Sequence, residues 1–334
     1  MGDIVHAIPT AAALRAAFPG ARIDWVTAPA YLPLLDLVTG LDHRIGVDTR
    51  ALFSRGRASV PGVLGHLRRT HYDVVLDLQG LLKSAVLARA VGARRTIGFP
   101  RLHLREPLAR LCYTEAPDPG GAAHVIVKNL ALLSALGVSD RSVRFPLNVP
   151  ESATVDAVVR AHAPDGFVLL NPCAAWPNKR WPPARFGAVA AAVHRVHGWR
   201  SVVLWGPGEE TLAADVAAES AGAAEASPRT TIPDIVALAR QARLMISGDT
   251  GPLHIAGAVG TPIVALFGPT RAERNGPWSE HDVSISRVSQ CECVYQRRCR
   301  RPEPCIDDIA VDEVMSAIRR RLTQAGQAAG SNVR

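Results

Sequence analysis

The chain has 334 residues, of which 48% are hydrophobic and 20% charged, with a formal net charge of +8. This suits two globular domains and excludes a low-complexity or fibrous chain. No run nears the ~20 apolar residues that span a bilayer, and no basic segment followed by an apolar one opens the chain, so a cytoplasmic protein with reduced cysteines is expected.

Helical spacing runs over residues 4–18 and stops at Pro19-Gly20. A short strand follows over 23–26, then helices over 31–38 and 60–69. Tyr72-Asp73-Val74-Val75-Leu76-Asp77 reads as a buried strand, and 80–90 as a helix. Helices between β-rich apolar runs imply parallel βαβ units. Pro146-Leu147-Asn148-Val149-Pro150 is extended, because proline disfavours helix before it. The domain boundary is placed there, giving residues 1–150 and 151–323.

The pattern then restarts. Strands are expected over 166–171, 201–205, 244–247 and 262–267. Helices are expected over 184–196, 209–221, 232–242, 252–259 and 312–323, and a disordered tail over 324–334. Two doubly wound α/β domains place their ligands at the carboxyl ends of strands, so the loops after strands carry the functional reading.

The strongest such loop is Ser247-Gly248-Asp249-Thr250-Gly251-Pro252-Leu253-His254, between an apolar strand and a helix. Its glycines admit close backbone approach, and Pro252 suits a first helical turn. The free N–H groups there favour a diphosphate, and Asp249 can accept from sugar hydroxyls. A plain turn capped by Asp249 is the competing reading, but it needs neither two glycines nor His254.

In the loop that follows residue 171, Lys179 can reach a phosphate, or the loop is simply a Pro/Trp-rich surface. Glu209 and Glu210 follow another strand; they suit ribose hydroxyls or the first-turn dipole. Gly2-Asp3-Ile4-Val5-His6 offers Asp3 as a general base or as a helix cap. Asp77-Leu78-Gln79-Gly80 and Arg105-Glu106-Pro107-Leu108 are open between structural and functional roles.

Together these segments resemble the heptosyltransferases of glycosyltransferase family 9. Met1-Gly2-Asp3-Ile4-Val5-His6-Ala7-Ile8-Pro9 is similar to the family's N-terminal loop, and Asp77-Leu78-Gln79-Gly80-Leu81-Leu82-Lys83-Ser84 to its acceptor-domain motif. The Lys179 loop and Gly248-Asp249-Thr250-Gly251-Pro252-Leu253-His254 are similar to its donor loops. Arg105-Glu106-Pro107-Leu108 and residues 124–129 resemble the lipopolysaccharide heptosyltransferase I branch.

The resemblance implies a GT-B fold of two Rossmann-like domains, acceptor-binding over 1–150 and donor-binding over 151–323. It implies inverting transfer from ADP-heptose to a Kdo residue of lipid A-linked core, with Asp3 as base. It implies Lys179, Thr250 and Gly251 on the diphosphate, Asp249 on the heptose with His254 beside it, and Glu209 or Glu210 on the ribose. Lys83, Arg105 and Lys128 are implied for acceptor anions. The basic balance fits an anionic glycolipid at the inner face of the cytoplasmic membrane. Another family 9 donor or acceptor, or a nucleotide-sugar epimerase on the same scaffold, is the alternative; no nucleic-acid motif is present.

Three features depart from the family pattern. Ala174 and Ala175 stand where hydroxyl residues are usual, so phosphate contacts there fall to backbone N–H groups. The family's first apolar strand is missing, and the expectation is that it lies upstream. Cys291, Cys293, Cys299 and Cys305 lack paired zinc-knuckle spacing, and no metal is expected.

Overall fold

The computed structural model describes residues 1–48 and 59–331. They form two compact units, one of His6–Asn148 and one of Met1–Val5 with the chain from Val149 onward.

In the His6–Asn148 unit, most of α1 (Gly2–Ala17) is followed by β1 (Asp24–Thr27), α2 (Leu32–Leu35) and β2 (His43–Gly46). Then come α3 (Ser59–Arg69), β3 (Val74–Leu76), α4 (Leu82–Ala90), β4 (Arg95–Ile97) and α5 (Val125–Ala131). The strands pair in parallel as β1-β2 and β3-β4, in two separate sheets. Two apolar clusters support them, one around Ile97, Phe99 and Leu132, the other around Ala13, Ile126 and Leu130. Asp77 closes β3 as a hub. It accepts from the Gln79 and Gly80 N–H groups, the Ser84 hydroxyl and the Tyr113 hydroxyl. Gly80 sits at φ +67, where a Cβ would also meet Leu104 at 2.9 Å.

The second unit runs α6 (Ala153–Ala161), β5 (Phe167–Asn171), α7 (Pro183–His197), β6 (Arg200–Val203), α8 (Glu210–Ala218) and β7 (Ala224–Ala226). It continues with α9 (Ile232–Gln241), β8 (Leu244–Gly248), α10 (Gly251–Ala258), β9 (Ile263–Phe267), α11 (Ala272–Asn275), β10 (Val283–Ser286) and α12 (Val311–Ser331). Six parallel strands lie in the order β10-β9-β8-β5-β6-β7. The strand order reverses between β5 and β8, so the loops after these two strands share one end of the sheet. Their register pairs Asn171, the last residue of β5, with Ser247, one before the end of β8.

β5, β8 and β9 are buried at every residue, as continuous apolar runs in a sheet covered on both faces must be. Trp181, Phe186, Val189 and Ile318 fill the layer beside them. The expected helix over 312–323 lies within α12, which runs on to Ser331. Alanine and glutamine in that stretch are strong helix formers and carry the helix on. Residues 332–334 lie outside the described residues.

Candidate active site

β5 and β8 place their loops side by side, and a buried polar cluster forms between them. Lys179 Nζ lies 2.6 Å from Asp249 Oδ2, and His254 Nε2 lies 3.3 Å from Asp249 Oδ1. The Thr270 hydroxyl donates to Asp249 Oδ2 at 2.7 Å, and Asn275 Nδ2 does so at 3.4 Å. Only 14% of the Lys179 side chain and 5% of the Asp249 side chain are exposed. Burial alone would raise the Asp249 carboxyl. The His254 hydrogen bond and the Lys179 charge outweigh it and hold the group far below the ordinary carboxylate range. Asp249 is therefore an anion whose acceptor positions are nearly filled, and it fixes Lys179 in place.

Backbone proximity explains the glycines. A Cβ on Gly248 would come within 2.9 Å of the Lys179 carbonyl, so only glycine lets the two loops close. Thr250 is the N-cap of α10, yet its hydroxyl caps nothing. It accepts from Asn171 Nδ2 at 2.7 Å instead, and Asn171 also donates to the Ser247 hydroxyl at 2.9 Å. The start of α10, with Pro252 in its first turn, thus has no side-chain cap on its N–H groups. That leaves a site of positive potential beside an ordered lysine.

The N-terminal segment reaches the same place. A Cβ on Gly2 would lie 2.7 Å from the His254 ring, and one on Gly251 would lie 2.6 Å from the Met1 side chain. Asp3 follows directly, exposed in the first turn of α1. The structure therefore brings Asp3, Lys179, Asp249, Thr250, Gly251 and His254 into one neighbourhood of one unit.

Glu209 and Glu210 stand at the start of α8. Glu209 pairs with Arg180 at 3.1 Å, while Glu210 is exposed. Arg180 also donates to the Ala174 carbonyl at 2.8 Å, tying the Lys179 loop to the Glu209 loop. Sequence reading missed Arg180, Thr270 and Asn275. Only the neighbouring Lys179 hinted at Arg180. Thr270 and Asn275 follow β9 without any motif.

The acceptor-side candidates lie in the other unit. Glu106 Oε2 accepts from the Leu82 N–H at 2.6 Å. That bond joins the first turn of α4, which carries Lys83, to the segment carrying Arg105. Lys128 is in the last turn of α5. There His124 Nδ1 accepts from the Ile126 N–H, and Asn129 donates to the His6 carbonyl at 3.1 Å.

All six cysteines are free. Cys293 and Cys305 are buried, and the Arg300 N–H donates to Cys293 Sγ at 3.0 Å. Burial, then the Cys291 thiol, pushes Cys305 up to about 12. Among the described residues no group of three or more histidine, cysteine or acidic side chains is placed to hold a metal ion.

A doubly wound unit with an uncapped helix start and an ordered lysine at its strand switch point has the place where such sheets bind their ligands. The model of glycosyltransferase family 9 (heptosyltransferase) matches residues 63–304, and the chain belongs to this family of glycosyltransferases. It is 28% identical to lipopolysaccharide heptosyltransferase 1 of Pseudomonas aeruginosa over 90% of this chain and 84% of that protein. It is 27% identical to lipopolysaccharide heptosyltransferase 3 of Escherichia coli over 96% of each chain. The fold is similar to the crystal structure of a family 9 glycosyl transferase from Veillonella parvula. There the TM-score is 0.81 at 23% identity, over 97% of this chain and 95% of that one. E. coli heptosyltransferase WaaC with ADP gives a TM-score of 0.74 at 22% identity, over 96% and 97% of the two chains. These likenesses bear out the GT-B expectation.

Proposed function

We propose that the protein is a heptosyltransferase of lipopolysaccharide core synthesis, transferring heptose from ADP-heptose to a Kdo residue of the lipid A-linked inner core with inversion. The observation that carries this reading is the uncapped start of α10 beside the Lys179–Asp249 pair. Relatives named as lipopolysaccharide heptosyltransferases over nearly the whole chain support the sugar and the pathway. The Arg105-Glu106-Pro107-Leu108 segment and residues 124–129, which resemble the heptosyltransferase I branch, support that assignment.

The donor's diphosphate lies against the first N–H groups of α10, at Thr250 and Gly251, with Lys179 as its fixed cation. Loss of the nucleoside diphosphate develops negative charge on the leaving oxygen. Donors already in place stabilise that charge without reorganisation. Asp249 keeps Lys179 aimed, and its Oδ1, which accepts only one long bond from His254, turns a lone pair to a heptose hydroxyl. Glu209 or Glu210 takes the ribose hydroxyls. Asp3 accepts the proton of the acceptor hydroxyl as that oxygen attacks the anomeric carbon. Attack comes from the face opposite the diphosphate, so the configuration inverts. Lys83, Arg105 and Lys128 hold the acceptor's phosphates or carboxylates. The protein works in the cytoplasm, at the inner face of the membrane that carries its acceptor.

Calorimetric titration with ADP and UDP in parallel tests the donor half of this reading. ADP binding at least ~10-fold tighter than UDP supports it. Preference for UDP keeps the transferase and removes the heptose donor.

A further inference from the structure

Residues 101–112 form an amphipathic strip of the His6–Asn148 unit. Two 3₁₀ turns, Arg101–His103 and Pro107–Cys112, bracket it. Leu104, Ala109 and Tyr113 face inward, in the core cluster around Ile97 and Phe99. Leu102, Leu108 and Leu111 face outward, at 96%, 64% and 82% exposure. Leu108 and Leu111 are three apart in a 3₁₀ turn, so they lie on one edge of it. Arg101, just before Leu102, and Arg105, between Leu102 and Leu108, are exposed. The one acid of the strip, Glu106, accepts from the Leu82 N–H, and the strip has more basic than acidic groups.

The two turns pack against each other, so the three protruding leucines belong to one apolar surface of the kind that marks a contact site. The strip carries no exposed aromatic side chain, the residue type that anchors protein interfaces. It interleaves aliphatic tips with arginines, which is the chemistry of a surface lying in a lipid headgroup layer. We propose that this strip docks the protein on a bilayer containing anionic lipid, with Leu102, Leu108 and Leu111 entering the acyl boundary, Arg101 on lipid phosphates and Arg105 left to the acceptor. It deepens the membrane-side reading above and rests on it. It gives a lipid-linked acceptor a fixed height relative to Lys83, one turn from the strip through the Leu82–Glu106 bond.

The test is co-sedimentation with vesicles of neutral phosphatidylcholine, with or without one third phosphatidylglycerol, at two salt concentrations. No sugar donor or acceptor is present. The wild-type protein is expected on the anionic vesicles, less so at high salt. Leu102→Ser with Leu111→Ser should weaken partitioning by ~10-fold or more while leaving ADP titration unchanged. Leu102→Ser alone, at a side chain that makes almost no contacts, controls for misfolding and should give a smaller loss in the same direction. Equal vesicle binding by wild type and double variant overturns the proposal, as does a wild type that stays in the supernatant. Light scattering that shows a wild-type dimer and a monomeric double variant assigns the strip to a second copy and also overturns it. Vesicle binding with no affinity for ADP keeps the surface and sinks the donor reading instead.

Discussion

Replacing Asp249 by asparagine keeps the shape of the side chain and removes its charge. Lys179 then loses an anion 2.6 Å away in a place where it is 14% exposed. Thr270 and His254 keep an acceptor or donor of similar reach. Removing one partner of a buried ion pair costs about 3–5 kcal/mol, and the asparagine's remaining polarity puts this case near the lower end. For a unit of this size about 3 kcal/mol corresponds to roughly 6–12 °C of melting temperature. Lys179→Met with Asp249→Asn removes both charges, so the double variant should recover at least half of that loss. Differential scanning calorimetry of wild type, both single variants and the double variant reads the coupling. A melting point for Asp249→Asn within about 1 °C of wild type, or strictly additive losses, would refute the argument that Asp249 holds a buried cation.

The same pair sets a pH dependence. The Asp249 carboxyl is depressed in the folded state, so its contribution is complete above the unfolded value near 4 and is lost as pH falls below that. Between about pH 5 and 3 the wild-type protein should lose stability more steeply than Asp249→Asn; parallel curves contradict this. Gly248→Ala puts a methyl 2.9 Å from the Lys179 carbonyl and should push the two donor loops apart. Its expected cost is about 1–3 kcal/mol of stability with a weakened affinity for ADP, read by calorimetry. Arg321→Met leaves Asp282, bonded at 2.6 Å and almost fully buried, with only the Ile263 N–H as partner. Burial already raises that carboxyl despite Arg321, so the variant should lose about 3 kcal/mol and recover part of it at low pH, where Asp282 protonates.

The second unit was legible where burial was total. β5, β8 and β9 are unbroken apolar runs because both faces of the sheet are covered. β2, β4, β7 and β10 escaped reading. Arg44, Arg95, Glu225 and Ser284 interrupt them, and each is three or four residues long, formed by pairing with a neighbour rather than by its own pattern. The donor loops were legible because glycine, proline and threonine before a helix have a local physical meaning. The pairing of Lys179 with Asp249 was not, since it spans 70 positions and exists only because β5 and β8 are adjacent. Arg180, Thr270 and Asn275 act through that same adjacency, and no spacing in the sequence announces them.

The most direct test of the account is product analysis with ADP-heptose and a Kdo-terminated acceptor, comparing wild type with Asp3→Asn. The account predicts one added heptose by mass spectrometry, inverted anomeric configuration by proton NMR, and turnover lowered about 10²–10⁴-fold in the variant with ADP affinity retained. A product of retained configuration, full activity of Asp3→Asn, or no transfer while a UDP-sugar is consumed would contradict it.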